Sequence, residues 1–535
     1  MYTEYALRTD ISFFGLPSAN IFSQKGVTMF CSVYSAAVCG VEPQMVSVEI
    51  DISGGLPAFN MVGLPSSEVR EAKERVLRAI ENSGYEIPSR KITINLSPAN
   101  LKKTGSGFDL PIAVAFLSAI GVIDPECVQG MMLVGELSLD GSILPVNGIL
   151  PIAVFAAEQG IKKLVIPEGN AFEGAYVPGI DIYGSMSLSS LVKDLKSKSL
   201  TKIEKADLQL LLEQQYLEST LDYRDVKGQE AAKRATMVAT AGFHNLLYVG
   251  PPGSGKSLMA QRIPSIINQL SPAECLEVSK IYSAAGLLKN QSLITERPFR
   301  APHHSITSVA LIGGTQAARC GEVTLAHKGI LFLDEAAEFR KDTIETLRQP
   351  MEEKQIVINR ASYRTVFPAD FMLVMAMNPC RCGYYPDRSI CNCTEAEVKK
   401  YFGKIKGPVL DRIDIHVAVE KVAIDDLKEK TKTMSSADMR ESVCCAHEMQ
   451  KLRFKEENID FNSQMTNAMI KQYCELEKEA RQMLNLAYDK YHLSARGYYK
   501  IIKVARTIAD MERSRLIGRK HILEAIGYRN SLLEL

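Results

Sequence analysis

The stretch from Gly250 to Ser257 constrains this chain more than any other, because it reads G-x-x-x-x-G-K-S. The apolar run His244–Val249 before it predicts a short buried strand, and residues 258–268 after it predict a helix. In this setting the glycines let successive backbone N–H groups point at phosphate oxygens, and the start of the helix adds a positive end. The stretch therefore predicts a phosphate-binding loop rather than an ordinary glycine-rich turn.

The polar side chains at the end of this loop have expected roles. Lys256 is expected to reach the β- and γ-phosphates of a nucleoside triphosphate, and Ser257 is expected to hold Mg²⁺. The expected nucleotide-binding residues of the loop are Gly250, Pro251, Pro252, Gly253, Ser254, Gly255, Lys256 and Ser257.

A second apolar run, Gly329–Leu333, predicts a buried strand that ends in two carboxylates, Asp334 and Glu335. Asp334 is expected to hold Mg²⁺ through Ser257 or a water molecule, and Glu335 to orient and polarise the attacking water. An apolar run before Asp-Glu is a weak signal alone, but it is strong in a chain that has a phosphate-binding loop upstream. Together the two stretches predict hydrolysis of ATP with Mg²⁺.

The composition limits what else the chain can be. At 535 residues it is too long for one hydrophobic core, so several domains are expected. The net charge of +1 excludes a bulk polyanion binder, so any contact with nucleic acid must come from a local basic patch. No apolar run reaches the about 18 residues of a membrane span, and no secretory signal is recognisable. The 12 cysteines then indicate a reducing compartment, and we expect a cytoplasmic protein with no membrane partner.

Changes in pattern divide the chain into five segments. Residues 1–28 show no clear period. They are expected to be a disordered extension, or else Met29 is the true start and these residues result from an upstream start codon. Strand and helix patterns alternate over 29–195, a polar linker covers 196–222, and the nucleotide site lies in 223–430. Residues 431–535 are expected to be a helical lid after a polar connector at 431–440. The fold class is therefore expected to be α/β.

The segment 29–195 resembles the ribosomal-S5-domain-2-like fold that the proteolytic domain of Lon uses. The resemblance is clearest at Gly135–Gly141, Leu144–Val146 and Gly160–Lys163. A Lon-type protease needs a serine nucleophile and a lysine base. The resemblance puts the serine position at about Gly107, beside Ser106, and the lysine position within Gly148–Ile152, which contains no lysine. The domain is therefore expected to be non-proteolytic and to act as a scaffold or an interaction module.

Two positions near the phosphate-binding loop and the sheet resemble nucleotide contacts of AAA+ ATPases. Val226 lies in the segment Asp225–Glu230 ahead of a helix, and this segment would pack against the adenine. Asn378 ends the apolar run Phe371–Met377 and would be the polar sensor beside the γ-phosphate. Without the resemblance, the first segment is simply the start of a helix.

Two arginines also resemble residues of AAA+ rings. Arg412 would be the finger that one subunit presents to its neighbour, where it stabilises charge on the transferred phosphoryl group. On the residues alone, a surface salt bridge with Asp411 or Asp414 is the alternative. Arg496 starts a predicted helix and would be the second sensor, acting from the lid.

Two insertions resemble those of one AAA+ clade, in which both point into the pore of the ring. One covers Arg297–Gly314, and the other, Gln355–Phe367, reads as a β-hairpin. Arg360 and Arg364 on the hairpin would follow a DNA backbone, whereas an edge hairpin with solvated arginines fits the residues equally well. Eight basic residues between Arg496 and Lys520 form a solvated face or a second DNA contact.

The candidate zinc ligands are Cys380, Cys382, Cys391 and Cys393. Four thiolates can hold tetrahedral Zn²⁺, although the spacing is C-x-C instead of the commoner C-x-x-C, and a reduced cysteine-rich loop is the alternative. The adjacent His303 and His304 are expected to point apart and not to bind a metal.

Longer stretches identify the chain, from about Met29 to Leu535, as similar to the YifB/ComM family of magnesium-chelatase-like AAA+ ATPases. These stretches are Gly54–Pro65, Arg297–His304, Leu347–Glu352, Asn378–Gly383 and Ala505–Asp510. The resemblance implies a hexameric ring that hydrolyses ATP and moves on DNA, as in branch migration during natural transformation and recombination. Arg412 would then act on the nucleotide of the neighbouring subunit.

Two functions without nucleic acid stay open. One is a chelatase-type remodeller that drives a partner inserting Mg²⁺ into a porphyrin, and the other is an ATP-switched scaffold of other proteins. The resemblance implies that chelatase motor subunits match only residues 223 onwards, which argues against the first. The rate of ATP hydrolysis with and without DNA discriminates between these functions.

Overall fold

The computed structural model of the chain describes residues 30–215, 221–288, 293–314, 318–360, 363–405, 409–421 and 433–530. These residues divide into two compact units. The first consists of Pro43–Lys205 and the strand residues up to Val38, and the second consists of Cys39–Glu42 and the chain from Ala206 onwards. The predicted extension, residues 1–28, lies outside the described residues, as do parts of the predicted linker and of the predicted connector.

Strands of the first unit form one large sheet and one small ladder. They are β1 (Phe30–Cys39), β2 (Glu42–Ser53), β3 (Ala58–Val62), β4 (Lys91–Ser97), β5 (Met131–Leu133), β6 (Glu136–Leu137), β7 (Ile143–Leu144), β8 (Lys163–Pro167) and β9 (Asp181–Ser185). The sheet has the order β3-β4-β2-β1-β5-β8-β9, while β6 pairs with β7. The pair β2–β4 is antiparallel, and β3–β4, β1–β5, β5–β8 and β8–β9 are parallel.

The described residues of the first unit form six α-helices. They are Ser67–Asn82, Asp109–Ala119, Pro125–Val128, Ile149–Glu158, Ala171–Ala175 and Leu188–Ser197. The side chain of Ser66 caps the first helix by accepting a hydrogen bond from the N–H of Val69. Val69, Val76 and Ile80 follow at helical spacing and are buried in the core of the unit.

The stretch Met132–Glu136, whose sequence pattern predicts a single strand, is interrupted in the structure. β5 ends at Leu133 and β6 begins at Glu136. The N–H of Gly135 donates instead to the carbonyl oxygen of Gly107 at 3.0 Å. This bond takes the backbone out of the ladder, so one predicted strand becomes two.

Strands of the second unit form a five-stranded sheet and a hairpin. They are β10 (Leu246–Val249), β11 (Phe299–Arg300), β12 (Ile330–Leu333), β13 (Gln355–Arg360), β14 (Tyr363–Pro368), β15 (Met372–Met377) and β16 (Ile415–Ala418). The sheet order is β11-β12-β15-β10-β16, and every pairing in it is parallel. The carboxyl ends of parallel strands meet at one edge, so the residues that follow β10, β12 and β15 come together there.

Helices of the second unit differ from the sequence-based predictions at two places. They are Leu208–Gln215, Glu230–Gly242, Lys256–Gln261, Pro272–Ala284, Ser308–Ile312, Glu322–Leu325, Lys341–Glu345, Arg348–Glu353, Glu395–Phe402, Ser436–Arg453, Asn467–Tyr473, Lys478–Lys490, Ala495–Met511 and Arg519–Asn530. The helix predicted over 258–268 ends at Gln261 and gives way to a 3₁₀ turn, because Pro264 has no N–H to donate. The connector predicted over 431–440 is helical from Ser436, because Ser435 and Asp438 form a capping box.

The C-terminal helices share a hydrophobic core with the part of the second unit that contains the parallel sheet. Ser436–Arg453 and Ala495–Met511 pack against the helix Glu230–Gly242, and residues of all three are buried together. Among the described residues, none of the helices combines the length and the apolar character that a bilayer crossing requires.

Candidate functional site

The predicted phosphate-binding loop has the conformation that its motif requires. Gly250 leaves no room for a side chain, since a Cβ there would lie 2.0 Å from the carbonyl oxygen of Val419. Gly255 has a φ of +92°, which favours glycine, and directly precedes the helix Lys256–Gln261. The loop therefore runs from the end of β10 straight into a helix, as the sequence predicts.

Lys256 connects this loop to the end of β15. Its ammonium donates to the carbonyl oxygens of Gly250 and Pro251, both at 2.8 Å, and to Oδ1 of Asn378 at 3.2 Å. The side chain is buried, and burial lowers the pKa of Lys256 although nearby carboxylates act in the opposite direction. The structure thus brings the predicted lysine and the predicted sensor into direct contact.

Ser257 and Asp334 also meet at this edge of the sheet. The hydroxyl of Ser257 donates to Oδ2 of Asp334 at 2.6 Å, and the N–H of Glu335 donates to Oδ1 of Asp334 at 2.9 Å. A hydroxyl and a carboxylate are the hard oxygen ligands that Mg²⁺ prefers. These two side chains therefore fit the ion that the motif implies, and would hold it beside the phosphates.

Glu335 lies in an unusual backbone conformation and has a neighbour that the sequence did not predict. Its φ is +48°, a left-handed conformation that non-glycine residues adopt at a cost and that is frequent at functional sites. Nδ1 of His304 lies 3.5 Å from its Oε2. The expectation that His303 and His304 point apart is wrong, because their rings lie 4.0 Å apart. The place of His304 in the predicted insertion is the only sequence signal for this contact.

Arg412 and Arg496 lie together in a second cluster. Both pair with Oε1 of Glu352, which Arg412 approaches closely and Nη2 of Arg496 reaches at 3.4 Å. Glu352 belongs to the helix Arg348–Glu353, so this cluster is built from elements other than those around Lys256. Neither of the acids predicted as alternative partners of Arg412 is the one that forms this ion pair. In the sequence, Glu352 lies only in a stretch that resembles the family and has no predicted role.

The backbone around Arg412 is held by residues that the sequence did not single out. The side-chain amide of Asn245 donates to the carbonyl oxygen of Arg412 at 3.1 Å, and its N–H donates to Oδ2 of Asp414 at 3.0 Å. Lys500 lies one helical turn after Arg496, and its Nζ is 2.8 Å from Oδ1 of Asp414. Burial acts to raise the pKa of Asp414, but the ammonium of Lys500 and the ring of His244 outweigh it and hold that pKa well below its usual value.

Val226 is buried in the core of the second unit, and its contact with an adenine stays a prediction. Gln229 in the same segment has a φ of +63°. Its Nε2 donates to the carbonyl oxygen of Ser254 at 3.4 Å. Gln229 therefore ties the predicted adenine segment to the phosphate-binding loop, a role that the sequence did not reveal.

The predicted hairpin is present, with β13 and β14 paired antiparallel. Arg360 and Arg364 are both exposed. Arg360 also donates to the carbonyl oxygen of Gly314 at 3.0 Å, so the hairpin lies against the other predicted insertion. The two insertions are therefore neighbours, although they are apart in the sequence.

Three of the eight basic residues between Arg496 and Lys520 are turned inwards, while the others are exposed, namely Arg496, Arg513, Arg515, Arg519 and Lys520. Besides Lys500, Lys503 donates to the carbonyl oxygen of Ser463 at 2.8 Å, and Arg506 is buried in an ion pair with Asp510 at 3.0 Å. The expectation of a continuous solvated or DNA-binding face is therefore wrong for three of these basic residues.

The four candidate zinc ligands converge. Their Sγ atoms all lie within 4.8 Å of one another, with Cys380–Cys382 at 3.3 Å, Cys380–Cys391 at 3.7 Å and Cys382–Cys391 at 3.4 Å. A tetrahedral Zn–S distance of about 2.3 Å implies sulfur–sulfur distances of about 3.8 Å, so the donor set fits zinc. A backbone hydrogen bond lowers the pKa of Cys382 to about 6, while burial raises that of Cys391 to about 12, as expected for thiols that share one site.

In the first unit, the residues nearest to a Ser–Lys dyad have separate partners. Ser106 donates to the carboxylate of Glu136. The ammonium of Lys103 is buried and donates to the carbonyl oxygens of Gly63, at 2.9 Å, and Pro98. Lys103 therefore serves the backbone, and the hydroxyl of Ser106 is bound by an acid.

Family models match both units. The model described as magnesium chelatase, subunit ChlI, matches residues 222–427, and the model of the C-terminal part of that subunit matches 433–529. A model described as subunit ChlI of Mg-chelatase matches residues 48–170, so the expectation that chelatase subunits resemble only residues 223 onwards is wrong. Fold, site and matches define a magnesium-chelatase-type AAA+ ATPase.

Individual relatives narrow the class to a family. Over 498 residues the chain is 37% identical to Competence protein ComM of Haemophilus influenzae. This match covers 93% of this chain and 97% of that protein. It is 38% identical over 498 residues to the uncharacterized protein YifB of Escherichia coli, covering 93% of this chain and 96% of that protein. A shorter match, 34% identical over 102 residues, links 19% of this chain to 16% of the archaeal Lon protease of Methanothermobacter thermautotrophicus. The chain belongs to the YifB/ComM family.

Proposed function

We propose that this chain forms a hexameric ring and uses ATP hydrolysis to move on DNA, as a helicase or branch-migration motor. The observation that supports this most is that the predicted ATP-site residues form two groups. The first group lies around Lys256 at the carboxyl edge of the sheet. The second group consists of Arg412 and Arg496, which both contact Glu352. An ATP site that a neighbouring subunit completes needs such an arrangement, and a ring supplies the neighbour to every site.

The group around Lys256 binds and positions the nucleotide. Lys256 neutralises phosphate charge once its ammonium turns from the loop carbonyls to the phosphates, and Ser257 and Asp334 hold Mg²⁺. Glu335 polarises the attacking water, and Asn378 places it next to the γ-phosphate. His304, beside the carboxylate of Glu335, orients that base before the water is bound.

The group around Glu352 serves the next subunit. Arg412 stabilises the charge that develops on the transferred phosphoryl group of the neighbour, and Arg496 approaches the same phosphate. Within one subunit the carboxylate of Glu352 stands in for that phosphate, because it is an anion that contacts both guanidinium groups. Asn245 and Asp414 keep the backbone of Arg412 in place for this contact.

DNA is the proposed substrate because two exposed arginines lie on a hairpin that contacts the other predicted insertion, Arg297–Gly314. Paired cations of this kind follow a phosphate backbone without reading its sequence. The name of one relative, a competence protein, agrees with a motor that acts on DNA taken up in natural transformation. Such a motor works in the cytoplasm, where recombination takes place.

A chelatase-like or protein-remodelling ATPase without a nucleic-acid substrate is the second candidate. Models described by a magnesium chelatase subunit match parts of both units, which favours it. The three inward-turned basic residues of the lid favour it as well, because they reduce one of the two predicted DNA surfaces.

The proposed domain boundaries are those that the sequence pattern predicts. An S5/Lon-like scaffold without proteolytic activity covers 29–195, a linker 196–222, the AAA+ core 223–430 and the helical lid 431–535. The separate partners of Ser106 and Lys103 support the absence of proteolysis. A structural Zn²⁺ at the four clustered cysteines completes the proposal, alongside ATP and Mg²⁺.

The test of the motor is the ATPase rate of the assembled ring with and without single-stranded or forked DNA, over a series of salt concentrations. DNA should raise the rate, and the effect should weaken as salt increases. ATP hydrolysis that ignores DNA, together with no salt-sensitive DNA binding, would rule out the motor and favour protein remodelling.

Mixed rings test whether the site is shared between subunits. Arg412→Ala and Glu335→Gln rings should each be inactive, while a mixture should regain activity at interfaces that combine an intact Glu335 with an intact Arg412 from the neighbour. If mixtures stay inactive although mixed rings form, Arg412 does not act on the neighbouring subunit.

A further inference from the structure

The four-cysteine cluster lies directly behind the residues that the proposed mechanism uses. Asn378, which accepts a hydrogen bond from Lys256, is two residues before Cys380. Gly383 follows Cys382 and lies so close to the phosphate-binding loop that a Cβ there would be 2.5 Å from Cδ of Pro252. The cluster is therefore connected to the predicted sensor Asn378 along the backbone, and the adjacent Gly383 packs against the phosphate-binding loop.

Gly383 links the sulfur positions to the loop. Its N–H donates to Sγ of Cys380 at 3.3 Å, and its φ of +91° is one that favours glycine. Hydrogen bonds to metal ligands orient them and couple them to their surroundings. A change at the sulfur of Cys380 must therefore move the same residue that packs against Pro252.

The surrounding chain gives the cluster few other means of holding its shape. No helix or strand lies between Met377 and Glu395, and most side chains of 384–390 are exposed. Cys380 and Cys391 are buried in the core that also contains Met377 and Val249, at the ends of β15 and β10. A metal cross-link supplies the rigidity that hydrophobic packing does not provide in such a loop.

We propose that Zn²⁺ held by these four cysteines positions Asn378 and Gly383 against the phosphate-binding loop, so that ATP hydrolysis requires the zinc cluster. This inference rests on the proposed zinc ion and on the proposed ATPase. The thiolates are positioning groups, since they lie behind the residues that contact nucleotide. The cluster thus controls the placement of the attacking water through Asn378. It also controls how the phosphate-binding loop binds the phosphates, through the contact of Gly383 with Pro252.

The first experiment measures zinc and ATPase activity together on the purified full-length protein. Mass spectrometry of the metal content should give about one zinc per chain. Cys382→Ser should lose this zinc and lower kcat by at least about ten-fold, the usual scale for partners that orient a site. The matched control is Cys444→Ser, which lies outside the cluster and should keep both zinc and activity. No zinc in the wild-type protein would overturn the zinc ion and this inference with it.

Chelation covers the case in which Cys382→Ser does not fold. Zinc removed from the folded wild-type protein by a chelator should reduce kcat, and added Zn²⁺ should restore it, while circular dichroism shows that the helices persist. Because the chelator also takes up Mg²⁺, the ATPase assay follows after exchange into fresh Mg²⁺. Full activity in the zinc-free protein would overturn the inference and leave the ATPase intact.

The second experiment separates the coupling from metal binding. Gly383→Ala keeps all four thiols but pushes against Pro252, so it should retain about one zinc per chain. We expect it to raise the KM for ATP and lower kcat. Gly84→Ala is the matched control, because Gly84 has a φ of +86° and nothing within 4 Å of a new Cβ. Normal kinetics in a zinc-loaded Gly383→Ala protein would overturn the coupling while the zinc ion stands. A wild-type ring that binds zinc but hydrolyses no ATP would refute the proposed function instead.

Discussion

Replacing Asp414 by Asn removes the charge that joins the turn of Arg412 to the helix of Arg496. Asp414 accepts the N–H of Asn245 at 3.0 Å and pairs with Lys500 at 2.8 Å. The two charged side chains are only 12% and 17% exposed. Asp414→Asn is therefore expected to loosen both arginines at once, although neither is altered.

The magnitude follows from the burial of this pair. Leaving one partner of a buried ion pair without its counter-charge costs about 3–5 kcal/mol. We expect the lower end, about 3 kcal/mol, because Asn keeps an oxygen for the N–H of Asn245 and both side chains retain some contact with water. At about 1.4 kcal/mol for each factor of ten, this corresponds to roughly 150-fold more frequent local opening.

Hydrogen exchange followed by mass spectrometry measures this opening on the full chain, in peptides from Ile415–Ala418 and Ala495–Met511. Exchange there should be roughly 150-fold faster, and the ATPase rate should fall. The control is Glu81→Gln, whose partner Arg78 is 63% exposed, so the cost should stay below about 1 kcal/mol and be confined to the first unit. Less than about five-fold faster exchange in both peptides would refute the reasoning, because it corresponds to under about 1 kcal/mol.

Three further predictions concern the same unit. The lowered pKa of Asp414 contributes stability that is fully present above about pH 3.9, the pKa of an Asp in an unfolded chain. In an acid titration, the helix Ala495–Met511 should therefore be released only as the pH falls below that value. Release of this helix near neutral pH would contradict the ion pair. Lys256→Ala should abolish binding of a fluorescent ATP analogue, whereas Glu335→Gln should bind it normally and stall turnover; equal turnover in Glu335→Gln and wild type removes Glu335 from its role. Replacing Arg360 and Arg364 by Ala should weaken DNA binding about equally for all sequences and make its dependence on salt shallower, and an unchanged salt dependence would exclude the hairpin as the DNA contact.

Much of the second unit was predictable because its signals are local. Gly250–Ser257 spells out a loop whose conformation depends on its own glycines, and the apolar runs that became β10, β12 and β15 need only the strand period and length to be recognised. The parallel order then brings the ends of these strands together, so the contacts of Lys256 with Asn378 and of Ser257 with Asp334 follow from the class of fold.

Prediction failed where a side chain had two possible environments. Lys500, Lys503 and Arg506 look like a solvated basic face in sequence, because a helix can turn the same residues to solvent or towards acids and carbonyl oxygens inside the protein. The partners that turn these residues inwards are Asp414, Ser463 and Asp510. Asp414 and Ser463 come from other parts of the chain. The helix after the phosphate-binding loop is shorter than the sequence pattern predicts, because Pro264 has no N–H to donate.

Three signals lie in short, local stretches of the sequence: the phosphate-binding loop, the two carboxylates after a buried strand, and the cysteine pairs. The chemistry of nucleotide binding could therefore be inferred from the sequence alone. The partners of Arg412, the contact of His304 with Glu335 and the convergence of four sulfur atoms within 4.8 Å join residues from different segments. They depend on how the strands and helices pack, which no local pattern encodes. The folded chain alone therefore reveals that two arginines share one acid, and that a cysteine cluster lies behind the phosphate-binding loop.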